Sequence, residues 1–113
     1  MKNIGLPLLL ATLLTHTTAV YAELSDDEYR MCGAVGDMAE GALSLRYGGL
    51  TLEETNEYMV EVRESFPAFT GTKLETMIAE AYQRPYRRSA SEQSREAADF
   101  GRVYYEGCLQ RRG

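Results

Sequence analysis

The sequence predicts an all-α protein: a small four-helix bundle-like domain whose first and last helices are antiparallel and joined by a disulfide. Three observations predict it. A Ser or Thr precedes a Glu by three residues at four places, Ser25 and Glu28, Thr51 and Glu54, Thr72 and Glu75, Ser89 and Glu92, each ahead of apolar residues at helical spacing. Each pair reads as a capping box, in which the hydroxyl accepts from an orphan amide while the Glu reaches back to the cap's own amide. Four together outline four helices. The two cysteines, Cys32 and Cys108, fall early in the first pattern and late in the last. A bond between them makes those helices antiparallel neighbours.

The chain opens with Lys2, an apolar run over residues 4–14, a more polar stretch from Thr15, and small residues at Val20 and Ala22. This is the pattern of a secretory signal peptide over residues 1–22, cut after Ala22, with Ala19 as the alternative site. At about 1.5 Å per residue the apolar run covers roughly half of a ~30 Å hydrocarbon core, too little for a retained anchor. No cysteine stands at the cut for a lipid. The expected product is a soluble periplasmic or secreted chain with no membrane span, one helical domain over residues 23–113.

Losing Lys2 moves the formal net charge from −5 to −6, with acids concentrated before residue 65 and Arg after residue 83. Either the two ends of the bundle complement each other or one of them recruits a charged partner. A domain this small buries a limited share of its surface. In an oxidising compartment an even cysteine count reads as a bridge. Closing so long a loop stabilises by about 4.5 kcal/mol in the chain-entropy picture.

The first helix spans residues 26–47, with Met31, Cys32, Val35, Met38, Ala39, Ala42 and Leu45 on the core face and Arg46 at the cation-favouring end. Gly48 and Gly49 stop it. Gly33, Ala34, Gly36 and Gly41 admit either a closely packed chain segment or a ligand crevice. The second helix spans residues 52–65, burying Leu52, Tyr58, Met59 and Val62 and setting Glu53, Glu57 and Glu61 at spacings of four, which costs helix stability and marks a solvated face. Residues 66–71 connect it to a short third helix carrying Leu74, Met77, Ile78 and Ala81, which ends before Pro85. The fourth spans residues 90–109, with Ala97, Phe100, Tyr104 and Cys108 inward and Arg111 and Arg112 beyond, beside Asp26, Asp27 and Glu28.

The only histidine, His16, leaves with the signal peptide. No imidazole base or ligand then remains, and oxidised cysteines supply no thiolate, so no catalytic residue, cofactor or metal is expected. Asp26, Asp27 and Glu28 lack the alternating ligands and glycine turn of a calcium loop. The protein is read as not an enzyme, although paired carboxylates keep a hydrolase as a distant alternative.

One segment looks like a contact surface. Residues 82–88 interleave Tyr82 and Tyr86 with Arg84, Arg87 and Arg88 in an exposed connection, the residue types enriched at interface hot spots. Two readings stand: these side chains grip carboxylates or phosphates on a partner, or the tyrosines cover the bundle's end while the arginines neutralise nearby Glu. Nucleic acid fits poorly with an exported chain of this charge.

Cys32, the turn Arg46, Tyr47, Gly48, Gly49 with Thr51, the Ala81, Tyr82 and Pro85 segment, and the helix from Phe100 to Cys108 resemble small exported helical proteins of Gram-negative bacteria and their phages. That group implies an architecture and carries no known activity. The outline is also similar to periplasmic acid-stress chaperones. The leading expectation is therefore an exported module that binds a protein or envelope component. The alternative is an acid-activated holdase whose carboxylates sense protonation below about pH 5.

Overall fold

The computed structural model describes residues 24–65 and 72–112. The expected signal peptide and the connection over residues 66–71 lie outside them. Regular structure among the described residues is entirely helical: α1 (Asp26–Tyr47), α2 (Leu52–Tyr58), α3 (Val60–Ser65), α4 (Thr72–Gln83) and α5 (Ala90–Arg112).

The local signals that start and stop helices work as their chemistry requires. Ser25 and Thr51 form reciprocal capping boxes with Glu28 and Glu54, and the Ser89 hydroxyl accepts from the Glu92 amide at 3.2 Å. Thr72 differs, being the first residue of α4. α1 ends in a Schellman turn: Leu50 N–H donates to Leu45 C=O and Gly49 N–H to Arg46 C=O, at 3.1 and 3.0 Å. Gly49 sits at φ +99°, the left-handed region only glycine enters freely.

α1 is the element against which α5 and α4 pack. The sulfur atoms of Cys32 and Cys108 are at bonding distance, with their Cα atoms 5.4 Å apart. One turn along, a Cβ built on Gly36 would stand 3.0 Å from the Gly101 carbonyl and 3.1 Å from the Tyr105 Cβ, and one on Gly101 would meet the Gly36 carbonyl at 2.8 Å. Backbone there lies on backbone. On the other side of α1, Leu74, Met77, Ile78 and Ala81 of α4 are fully buried with Leu43 and Ala42. Burying each large aliphatic side chain contributes about 1.5–3 kcal/mol.

Three expectations need correction. The second predicted helix is two, interrupted at Met59, whose side chain is 3% exposed. The repulsion of Glu53, Glu57 and Glu61 at spacings of four gives a continuous helix there little support. Leu52 and Tyr58 are 40% and 64% exposed, while Thr55 is wholly buried in their place. In α1, Met31 is exposed and Leu45 half-buried, whereas Leu43 is buried, because the inward stripe turns toward α4 along the helix. Asp27 pairs with Arg30 of its own helix at 3.6 Å. None of the described ion pairs joins the acidic first turn of α1 to Arg111; the Arg112 side chain lies outside the described residues.

Candidate functional site

Residues 82–88 are organised by a residue outside the segment. Arg46, in the last turn of α1, donates from Nη1 to the Ala81 carbonyl at 3.0 Å and also to the Arg84 carbonyl. Helix carbonyls at a C-terminus lack intrahelical donors, and the dipole there favours a cation. Arg46 meets both needs for α4. Its guanidinium also lies over the Tyr82 and Tyr86 rings, 5.6 and 5.5 Å from their centroids. The adjacent Tyr47 hydroxyl donates to the Pro85 carbonyl at 2.8 Å, and its ring stands edge-on to Tyr86, centroids 5.5 Å apart.

Tyr82 points inward. Its hydroxyl reaches the Leu50 carbonyl at 2.6 Å, the Thr51 carbonyl at 3.0 Å and the Thr55 hydroxyl. A phenol has one proton to give, which goes to a carbonyl, so Thr55 is the donor in the third contact.

The arginines divide. Arg84 Nη2 reaches Glu96 Oε2 at 3.2 Å and Arg87 Nη2 reaches Glu96 Oε1 at 3.4 Å. The Arg84 guanidinium lies 5.3 Å from the Phe100 ring centroid, and its buried Nε has no hydrogen-bond partner among the described residues. Glu96 is 9% exposed; two cations compensate a carboxylate otherwise costly to bury. Gln93 Nε2 donates to the Arg87 carbonyl at 2.9 Å. Arg88 is exposed and enters none of the described ion pairs.

The structure thus brings the five predicted contact residues together but gives them different work. Tyr82 and Arg84 face inward, Arg87 is half committed to Glu96, and Tyr86, 58% exposed, and Arg88 face outward. Arg46, Tyr47, Thr55 and Glu96 were not legible as site residues. Only Glu96 carried a signal, an acid one position before Ala97 and four before Phe100 on the buried stripe of α5.

Elsewhere, Gly33, Gly36, Asp37, Glu40, Ala98, Gly101, Arg102 and Tyr105 line an open groove of about 240 Å³ between α1 and α5. Of the small residues expected to admit a packed segment or a crevice, Gly36 serves the contact, whereas a Cβ on Gly33 or Gly41 would meet nothing within 4 Å. Arg102 is spanned by Asp99 and Glu106 at 3.4 and 3.5 Å. The Tyr104 hydroxyl donates to Glu80; burial first, and that carboxylate second, push its phenol well above the usual tyrosine range. Glu54 is held below the usual carboxylate range by the Thr51 amide and then by the Thr51 hydroxyl. Among the described residues no three His, Cys, Asp or Glu side chains are grouped to hold a metal, and no helix is long and apolar enough to cross a membrane.

Compared with protein-family models, curated proteins and solved structures, the chain matches none.

Proposed function

We propose that the chain is an exported, non-enzymatic interaction module: a small bundle-like frame, clasped through Cys32 and Cys108, that presents residues 82–88 to a protein or envelope component. The contacts of α1 with α5 support the antiparallel frame. Cys32 meets Cys108, Gly36 meets Tyr105 and Glu40 meets Gly101, a pairing that descends in α5 as it ascends in α1.

The observation that carries the binding surface is Tyr86 and Arg88 standing outward on a backbone clamped from behind. Arg46 holds the Ala81 and Arg84 carbonyls, Tyr47 holds that of Pro85, and Gln93 holds that of Arg87. A segment already fixed loses less conformational entropy when a partner docks, so its aromatic and cationic groups contribute more of their contact energy to affinity. Recovery of a partner from periplasmic extract tests this. The native chain is compared with a Tyr86→Ala, Arg87→Ser, Arg88→Ser variant, which spares the inward Tyr82 and Arg84. Loss of the partner with the variant is expected; equal recovery sinks the assignment.

A second reading, an acid-activated holdase, is favoured by Glu96. That buried carboxylate ties Arg84 and Arg87, in the connection after α4, to α5. Protection of an aggregating client at pH 3 and not at pH 7 would support it, and an inert, folded chain at pH 3 would remove it.

A further inference from the structure

The end of the domain that displays Tyr86 and Arg88 also displays the start of α2. The Tyr82 phenol bonds to the Leu50 and Thr51 carbonyls and the Thr55 hydroxyl, so the two segments are in direct contact. On the α2 flank Leu52, Glu53 and Glu57 are exposed, with Tyr58 next to them 64% exposed. On the other flank stand Tyr86 and Arg88. None of the described ion pairs engages Glu53, Glu57 or Arg88. The same end of the domain therefore carries Glu53 and Glu57 at the start of α2 and Arg88 before α5, none in a described ion pair, with exposed Leu52, Tyr58 and Tyr86 near them.

Such a surface selects its partner by charge. A uniformly acidic partner that satisfies Arg88 is repelled by Glu53 and Glu57, and a uniformly basic one has the opposite fault. A partner with the same alternation, turned by a two-fold rotation, satisfies both. A second copy of the chain is such a partner, because an isologous contact sets residue i against j and j against i. We infer that this end is a self-complementary dimer interface, in which Arg88 of each copy faces Glu53 and Glu57 of the other with Leu52 and Tyr86 between. The inference rests on the proposed use of residues 82–88 as an interaction surface and names the occupant.

Sedimentation of the purified, oxidised chain tests it with charge reversals. The native chain associates to a dimer at low salt, weakened about tenfold or more at 1 M salt, where the screening length falls to about 3 Å. Arg88→Glu and Glu53→Arg, Glu57→Arg are each monomeric alone at the same concentration, with unchanged melting, and when mixed they form a one-to-one heterodimer. If the α2 variant melts early, Arg88→Glu decides alone, since that side chain makes no described contact. A native chain monomeric at all concentrations, a dimer indifferent to Arg88→Glu, or two folded variants that do not pair overturns the inference. A monomeric native chain that still captures a foreign partner through Tyr86 likewise excludes the second copy, while leaving the surface itself in use.

Discussion

The two ends of the α1 and α5 contact are held by opposite kinds of chemistry. Near Cys32 and Cys108 the helices are joined by a covalent bond and pressed together at Gly36 and Gly101, with no charge involved. Near Arg46 the structure is held by one guanidinium, two phenols and a carboxylate shared by two arginines. The first arrangement fixes register and is indifferent to salt. The second is directional and close to water, and it leaves Tyr86 and Arg88 exposed.

Breaking the covalent end should have the largest effect. Cys32→Ala with Cys108→Ala, or reduction of the native chain, is expected to lower unfolding free energy by about 4.5 kcal/mol in urea titrations. Substituting Arg46 by Met should cost about 2–4 kcal/mol by the same measurement, since it strips two carbonyls of their donor and two rings of their cation. A comparison within the first region separates close packing from helix propensity. Gly101→Ala forces a methyl to 2.8 Å from the Gly36 carbonyl and should cost about 1–3 kcal/mol. Gly33→Ala, with nothing within 4 Å, should instead stabilise by up to about 1 kcal/mol.

pH tests two further contacts, one in α5 and one at the start of α2. Tyr104 has a raised folded-state pKa, from burial and then from Glu80, so its contribution is fully present below its ordinary value of 10.0 and is lost as pH rises beyond it. Tyr104→Phe should therefore cost about 1 kcal/mol at pH 7, with the difference from the native chain shrinking as pH rises above 10.0. Glu54 has a lowered value, so its cap stabilises above about pH 4.5 and is lost as pH falls through its folded-state value. Melting of Glu54→Gln and the native chain should converge in acid. The smallest effect belongs to Arg88→Ala, within about 0.5 kcal/mol of native stability although it weakens association.

Most of the frame was legible because its signals are local or covalent. A hydroxyl three residues before a Glu caps a helix at Ser25, Thr51 and Ser89, and Leu74, Met77, Ile78 and Ala81 announce their buried face by spacing alone. The cysteine pair was legible because only one pairing exists. The break at Met59 was not, since it depends on how deep the core reaches beneath α2. Nor was the site: Arg46 and Glu96 act on residues more than thirty and about ten positions away respectively, a relation that exists only once helices pack. Reading residues 82–88 as one exposed stretch was accordingly half right. Tyr82 and Arg84 serve the interior, while Tyr86 and Arg88 face out.

The crossing of Gly36 under Gly101 has a consequence for how the protein comes into being. The Gly36 side of α1 has no lasting cover until α5 has been synthesised, because the segment that lies on it comes some sixty residues later in the chain. An N-terminal fragment therefore cannot reach the native state alone, and closure must await contacts between distant parts of the polypeptide, the slow kind. A ribosome-bound intermediate lacking α5 should remain open, sensitive to protease and accessible to whatever carries unfolded chains.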